Sequence, residues 1–222
     1  MGTIACSVIL DRASRKLLDE TKVRWMAPEL LDDLNGGLSW LVLNKPDAFT
    51  VIDNIELADG ALQSIPESGS LLLAVLENAG ADGLTIGKAI RQIERNELDH
   101  NNPDWLTATG PAVLHYTFDK RAPRIFYVFP RPTGPWSVRA MWAATPRVDS
   151  PDDLLPVDDI FETTLVYFVI GSALLKNSKS GDPAKAGSYL TMAANTIGAR
   201  FQAQAAFSPV DPDVAAKTGQ DI

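Results

Sequence analysis

Residues 113–129 read VLHYTFDKRAPRIFYVF, two short runs of aromatic and β-branched side chains separated by a polar, Pro-containing stretch. Strands favour the residue types in both runs, and residues 119–123 have the composition of a turn. Alternation along the runs places Phe118, Phe126 and Val128 on a core-facing side. The stretch therefore predicts an antiparallel hairpin of residues 113–118 with residues 124–129.

The chain around this hairpin has the same strand-like character. Further strands are predicted at residues 49–57, 62–65, 71–78, 89–93 and 137–142. Ala58-Asp59-Gly60 is typical of a tight turn, so we expect the first two of these strands to form a second hairpin. A short helix is predicted at residues 94–100, ended by Asn101-Asn102-Pro103.

Both ends of the chain show helical periodicity instead. Apolar residues recur at three- and four-residue intervals in four segments, residues 3–20, 28–43, 157–177 and 183–206. Asp182 and Pro183 are suited to the N-cap and first position of the last helix, which should form an antiparallel hairpin with the helix before it. Gly36-Gly37 weakens the second helix by roughly 1 kcal/mol per glycine. A close backbone approach or a kink would explain the pair.

The switch between the two periodicities predicts an α+β fold. We expect the N- and C-terminal helices to pack into one four-helix bundle domain, made of residues 1–47 and 146–207. Residues 48–145 would form an inserted β-rich domain. Residues 208–222 contain Pro209, Pro212 and three aspartates but few apolar anchors, which predicts an extended C-terminal arm.

Composition excludes several classes of protein. The chain has 222 residues, 45% of them hydrophobic, which is an ordinary value for a globular protein. Its net charge of −8 argues against a surface that binds nucleic acid. The single cysteine, Cys6, lies on the apolar stripe of the first helix and is predicted to be a buried thiol. No apolar run approaches the roughly 18 residues that span a bilayer, and no secretion signal is recognisable, so we expect a cytosolic product.

No cluster of metal ligands is recognisable. His100 and His115 are separated by a predicted helix end and a strand, and Cys6 is far from both in sequence. An acidic group follows the β-rich region, made of Asp149, Asp152, Asp153, Asp158 and Asp159. Its spacing matches no calcium loop, and a solvated loop with a helix cap explains it better. The sequence predicts no metal site.

Nucleophilic and phosphate-binding motifs are also missing. The turn serines at residues 68–70 and 178–181 have no histidine nearby in sequence. Gly87-Lys88 precedes Ala89 instead of Ser or Thr, so the P-loop spacing fails and residues 79–87 are interpreted as a mobile surface loop. We therefore predict no catalytic residue and no cofactor. Two alternatives stay open: a hydrolase with an unrecognised site, or a module of the β region that binds a small molecule, a carbohydrate or a peptide.

Several stretches, taken in their order, resemble bacteriophage head-to-tail adaptor proteins of the tail-tubular type. The likeness covers roughly residues 3–208. It is carried by Val23-Arg24-Trp25 before Pro28-Glu29-Leu30-Leu31, Lys45-Pro46-Asp47-Ala48, Gln63-Ser64-Ile65-Pro66, Asn96-Glu97-Leu98-Asp99 with Pro103-Asp104-Trp105, His115-Tyr116-Thr117-Phe118-Asp119 followed by Phe126-Tyr127-Val128-Phe129-Pro130, and the C-terminal helical hairpin with Asp182-Pro183.

The resemblance implies a ring, usually twelve-fold, that is assembled in the host cytoplasm and seated beneath the portal in the virion neck. The implied partners are further copies of the chain, the portal protein and a tail or nozzle protein, with no membrane. Genomic DNA would pass through an open channel without specific binding, and an acidic wall suits that role because it repels DNA weakly. Whether the loop at residues 79–87 has a gating or docking role stays open.

The C-terminal arm is the predicted interface with the portal or with a neighbouring subunit. An extended arm gains contact area without needing a core of its own. The alternative is that it lies against its own subunit. The interface residues are Ser208, Pro209, Val210, Asp211, Pro212, Asp213 and Val214.

Overall fold

A computed structural model describes residues 2–176 and 181–207, and it confirms the predicted α+β class. In these ranges the chain forms five α-helices, each close to a segment that the sequence predicts. They are α1 (Cys6–Lys16), α2 (Ala27–Asn44), α3 (Arg95–Asn101), α4 (Glu162–Leu174) and α5 (Pro183–Phe207). Single turns of 3₁₀ helix lie at Pro46–Phe49 and Asp159–Phe161. None of the described helices is long and apolar enough to cross a membrane.

The strands form two main sheets and one small one. They are β1 (Thr50–Glu56), β2 (Leu62–Ser64), β3 (Gly69–Gly80), β4 (Arg91–Gln92), β5 (Thr109–Gly110), β6 (His115–Phe118), β7 (Ile125–Phe129), β8 (Arg131–Pro132) and β9 (Ser137–Ala144). The first sheet is antiparallel with the order β1-β9-β3, and the second has the order β2-β7-β6-β4. β5 and β8 pair separately in parallel.

The two main sheets pack face to face on one hydrophobic core. The first sheet contributes Leu72, Val75, Val138, Ala140 and Trp142, and the second contributes Tyr116, Phe126 and Val128. These side chains are at most 4% exposed. Burial of so many large apolar groups is the main stabilisation of this part of the fold.

The sequence predicted one hairpin correctly and one wrongly. β6 and β7 pair as predicted, with Tyr116 opposite Val128. The hairpin of residues 49–57 with residues 62–65 does not form, because β1 pairs with β9 and β2 pairs with β7. The buried amide of Gln63 explains the difference. It accepts a hydrogen bond from Ala58 N at 2.8 Å and donates to the carbonyl oxygens of Ala58 and Gly60 at 2.9 and 2.8 Å. The Gln63 side chain thus bonds the backbone groups of the turn at residues 58–60, where the chain crosses from one sheet to the other.

β3 does not follow the two-residue alternation expected of a strand. Its core-facing residues Leu72, Val75 and Asn78 are spaced by three, and its register against β9 shifts at four places along its length. Each shift inserts an extra residue as a β-bulge, which bends and twists the strand.

Among the helices, α4 packs against α1 and α5, and the predicted hairpin of α4 with α5 is confirmed. The close approach of α4 to α5 depends on Gly171 of α4, where a Cβ would lie 2.8 Å from Leu190 Cγ of α5. Asp182 caps α5 as predicted, because its Oδ1 accepts a hydrogen bond from Lys185 N at 3.1 Å. The structure does not show a four-helix bundle. α2 runs unbroken through Gly36-Gly37.

The chain divides into two compact units. A β unit comprises Met1–Thr3, Asn35–Asp149 and Leu154–Asp158, and a helical unit comprises Ile4–Leu34, Ser150–Asp153 and Asp159–Ile222. The division falls inside α2, between Leu34 and Asn35. The domain bounds expected from the sequence, at residues 47/48, 145/146 and 207/208, stay a prediction.

Candidate functional site

The residues that were weighed as catalytic or metal-binding are not brought together. In the parts of the chain that are described, no group of three or more His, Cys, Asp or Glu residues is placed to hold a metal ion. His100 lies exposed in α3, and the ring of His115 in β6 stacks on Phe129 with centroids 6.3 Å apart. Cys6 is fully buried, as predicted. Burial, and secondarily the Asp153 carboxylate, raise the pKa of its thiol to about 11, so the thiolate needed for nucleophilic attack is disfavoured.

The acidic group after the β-rich region organises a turn. Asp153 Oδ2 accepts a hydrogen bond from Ser150 N at 2.8 Å, and Ser150 Oγ accepts one from Asp152 N at 3.2 Å. Asp159 Oδ1 accepts a bond from Ile4 N at 3.4 Å. These contacts agree with the interpretation of the group as a loop. The helix-cap part of that interpretation is wrong for α4, because its N-cap is Phe161 and no side chain caps it.

The glycine-rich loop is held by hydrogen bonds. The Asp82 carboxylate accepts bonds from the backbone N–H groups of Leu84 and Thr85, both at 3.0 Å, and from Thr85 Oγ1 at 2.8 Å. These bonds lower the pKa of Asp82 to about 2. Ladder-like bonds between Asn78 and residues 87–88 close the base of the loop. The loop exposes two large apolar side chains, Leu84 at 81% and Ile86 at 63%.

The stretch Asn96-Glu97-Leu98-Asp99 and the following Trp105 anchor α3 on the second sheet. Leu98 and Trp105 are each 1% exposed, and Trp105 Nε1 donates a hydrogen bond to Asp99 Oδ1 at 2.7 Å. The Arg95 guanidinium lies 5.9 Å from the ring centroid of Trp105 and 5.3 Å from that of Tyr127, within cation–π range. This part of the sequence therefore has a structural role in the described fold.

An open groove of about 590 Å³ lies beside this anchor, and its walls are polar. Arg121 forms a bidentate ion pair with the Asp119 carboxylate, with Nη2 2.6 Å from Oδ2 and Nε 3.0 Å from Oδ1. The side-chain bond from Arg121 is the largest cause that lowers the pKa of Asp119, to about 2. A carboxylate held ionised by a paired arginine is a poor general acid or base near neutral pH. Asp119 is therefore poorly suited to proton transfer in this groove.

In the helical unit, Asp19 organises the loop between α1 and α2. Its carboxylate accepts hydrogen bonds from three successive backbone N–H groups, those of Val23, Arg24 and Trp25, at 3.1, 2.8 and 3.0 Å. These bonds, above all the one from Trp25, lower the pKa of Asp19. Trp25 is 4% exposed and its Nε1 donates to the carbonyl oxygen of Ala173 in α4 at 2.9 Å. Val23-Arg24-Trp25 thus ties the loop to the helical core.

The same loop exposes three large apolar side chains: Leu18 at 88%, Val23 at 75% and Met26 at 54%. We call residues 17–26 the apolar loop. Leu18 and Lys22 both have left-handed backbone conformations, with φ of 57° and 53°. Such conformations are uncommon for residues other than glycine. The three side chains are therefore available for contact with another protein.

A groove of about 670 Å³ adjoins the apolar loop within the helical unit. The residues that line it include the largely apolar Trp25, Ile170, Leu174 and Tyr189 and the cations Lys16, Arg24 and Lys185. The sequence did not predict this groove. Helical periodicity identifies the apolar residues of α1 and α4, but it does not show which of them stay exposed beside the apolar loop.

The predicted interface residues at 208–214 lie outside the described residues, so the structure leaves that prediction untested. A family model described as SU10 adaptor protein matches residues 5–213 of the chain. A search of curated proteins returned no significant match.

Proposed function

Because the chain belongs to the SU10 adaptor protein family, a family of phage head-to-tail adaptors, we propose that it is a structural protein of the virion neck and not an enzyme. In this proposal its copies assemble in the host cytoplasm into a ring, a dodecamer, that sits beneath the portal and connects the capsid to the tail. Its partners are the portal protein and a tail or nozzle protein. Genomic DNA passes through the channel without specific binding.

The observation that best supports this role is the apolar loop. Three exposed apolar side chains stand on a backbone that is ordered by Asp19 and anchored through Trp25. Exposing them to water in a free subunit is unfavourable, and burying them in an assembly recovers that free energy. A surface that is ordered before assembly also loses less conformational entropy on binding.

The net negative charge of the chain supports the proposal that its copies surround a channel for DNA. With a net charge of −8, the chain offers no excess of cations that would hold the phosphate backbone by releasing counterions. Weak repulsion allows a duplex to slide without being trapped.

The finer organisation belongs to the same proposal. The helical parts, residues 1–47 and 146–207, would form a four-helix bundle in the assembled neck, with residues 48–145 as the β-rich domain. Residues 208–222 would act as an arm whose part at 208–214 contacts the portal or a neighbouring subunit. The loop at 79–87, which exposes Leu84 and Ile86, would have a gating or a docking role toward another neck protein.

The proposal is tested with the purified full-length chain, alone and mixed with portal particles from the same phage. Native mass spectrometry should show a ring-sized species, or a complex that adds about twelve copies to the portal, and negative-stain images should show a central channel. A chain that remains monomeric under both conditions would contradict the proposal. Removing residues 209–222 should leave the subunit folded and weaken ring formation or portal attachment.

A further inference from the structure

The two sheets of the β unit end in two opposite edges. In the sheet orders β1-β9-β3 and β2-β7-β6-β4, the strands β1 and β2 are terminal. The short connection at residues 57–61 keeps these two strands at the same edge, which we call the β1 edge. At the other edge, Ile90 N donates to Leu76 O of β3 at 2.8 Å and Ile93 N donates to Tyr116 O of β6 at 3.0 Å. The segment at residues 87–93 therefore bridges both sheets and closes what we call the β4 edge.

The β1 edge is acidic. Asp53 follows Val51 and precedes Ile55 on the core-facing side of β1, yet it is exposed, so its carboxylate lies at the open end of the core. Glu56 and Asp59 follow it along the edge, and Asp59 pairs with Arg131 at 2.9 Å. Within the described residues, neither Asp53 nor Glu56 has a salt-bridge partner within 4.0 Å.

Two apolar side chains are exposed at this edge, on different faces. Alternation places Ile52, with Glu56, on the outer face of the first sheet, and Leu62 on the outer face of the second sheet. Ile52 of β1 is 56% exposed and Leu62 of β2 is 52% exposed. A charge that points toward the core side of an edge strand, as Asp53 does, hinders the addition of a further strand. Contact at this edge is therefore expected through side chains.

The β4 edge is basic. Lys88 and Arg91 are exposed, and neither has a salt-bridge partner among the described residues. Together with Ala89, Leu114 and His115 they line an open depression of about 420 Å³. Leu114 is 45% exposed there. The backbone of this edge is already hydrogen-bonded to both sheets, so it too presents side chains.

We propose that the β1 edge of one copy packs against the β4 edge of the next copy, and that this contact joins the β units around the ring. The inference rests on the proposed ring. A contact between two different patches is heterologous and can repeat around a closed ring. Asp53 and Glu56 of one copy face Lys88 and Arg91 of the next, while Leu62, on the outer face of the second sheet, covers the apolar part of the depression.

Charge selects this arrangement over the alternatives. Two β1 edges would oppose carboxylates, and two β4 edges would oppose cations, both of which are repulsive. The contact between unlike edges is therefore the complementary one. Salt should weaken it, because the pairs lie at the periphery of the sandwich.

Charge reversal tests the contact. Asp53→Lys with Glu56→Lys makes both edges basic, and Lys88→Glu with Arg91→Glu makes both edges acidic. Each variant alone should lose the ring-sized species in native mass spectrometry, although circular dichroism shows it folded. An equimolar mixture should recover the ring, because the two variants can alternate with opposite charges at every contact. A variant with all four reversals should also recover it alone.

A control places the same charge change elsewhere on the unit. Glu97→Lys with Asp104→Lys alters two exposed carboxylates on the side covered by α3, and its ring should persist. Rings that persist in both single-edge variants would overturn the contact but leave the proposed function standing. Folded variants that lose the ring and are not rescued by mixing or by the fourfold exchange would also overturn it. A wild-type chain that forms no ring, alone or with portal particles, would overturn the proposed function and this contact with it.

Discussion

The indole Nε1 of Trp136 donates a hydrogen bond to Oδ1 of Asn78 at 2.9 Å, at a position where Asn78 is only 1% exposed. The same Oδ1 accepts a bond from Val113 N at 3.0 Å, and Nδ2 donates to the carbonyl oxygens of Lys88 and Val113 at 2.9 and 2.8 Å. One buried amide thus uses its full hydrogen-bonding capacity. It ties β3 to three other segments of the β unit.

Replacing this amide should destabilise the β unit strongly. Asn78→Leu preserves approximate size but leaves the buried polar groups of Trp136, Val113 and Lys88 without their partner. We expect the free energy of unfolding in urea to fall by about 3 kcal/mol or more, since each unsatisfied buried group costs about 1–3 kcal/mol. The exposed Asn96→Ala is the matched control and should change it by less than about 0.5 kcal/mol. A loss below about 1 kcal/mol for Asn78→Leu would argue against this role.

Replacing two glycines of the helical hairpin by alanine should change the free energy of unfolding in opposite directions. A Cβ at Gly171 would lie 2.8 Å from Leu190 Cγ and 3.2 Å from Ala186 O, so α4 and α5 would have to move apart. Gly171→Ala should lower the free energy of unfolding by about 1–3 kcal/mol. Gly187 is exposed in α5 with nothing within 4 Å of a Cβ. Gly187→Ala should raise it by up to about 1 kcal/mol. Denaturant melts of both variants check the pair, and equal signs would refute the packing argument.

The loop held by Asp19 should make stability depend on pH. Hydrogen bonds from the backbone lower the pKa of this carboxyl in the folded state, so the stability it contributes is present above its unfolded pKa of about 3.9. That contribution is lost as the pH falls through the folded pKa. Asp19→Ala should therefore lower the melting temperature at pH 7, and the difference from the wild type should shrink below about pH 4. Glu67→Ala, which removes an exposed carboxylate from a turn, is the control. A difference that is constant from pH 7 to pH 3 would exclude the linkage.

Leu18 allows stability and assembly to be separated. Its φ of 57° is unfavourable for leucine, and its side chain is 88% exposed. Leu18→Gly should stabilise the isolated subunit by about 1 kcal/mol, because glycine adopts the left-handed region without a steric penalty and little contact is lost. The same change should weaken ring formation or portal attachment if the apolar loop is a contact surface. Lys22→Asn relieves a similar conformation without removing an apolar group, and assembly should be unchanged. Undiminished assembly of Leu18→Gly would remove the apolar loop from the proposed contacts.

The sequence by itself determined the features that depend on neighbouring residues. The pairing of β6 with β7 follows from two strand-like runs and the turn between them. The start of α5 follows from Asp182 and Pro183, and the burial of Cys6 follows from its place on the apolar stripe of α1. The ordered motifs that resemble phage adaptors also needed only the sequence, and the family match over residues 5–213 confirmed that resemblance. For the strand pair, the helix start and Cys6, the residues that decide the feature lie within one element or one hairpin.

Only the tertiary structure decided the features that depend on distant partners. β1 pairs with β9 and not with β2, because Gln63 satisfies the intervening turn and the apolar side of β1 is buried against the second sheet. The bulged β3, the buried amide of Asn78 and the exposure of Leu18 are likewise set by what each residue meets in space. The acidic and basic edges arise from residues that are unremarkable in sequence. Long-range packing and the need to satisfy every buried polar group select these arrangements, and neither is recorded in local periodicity.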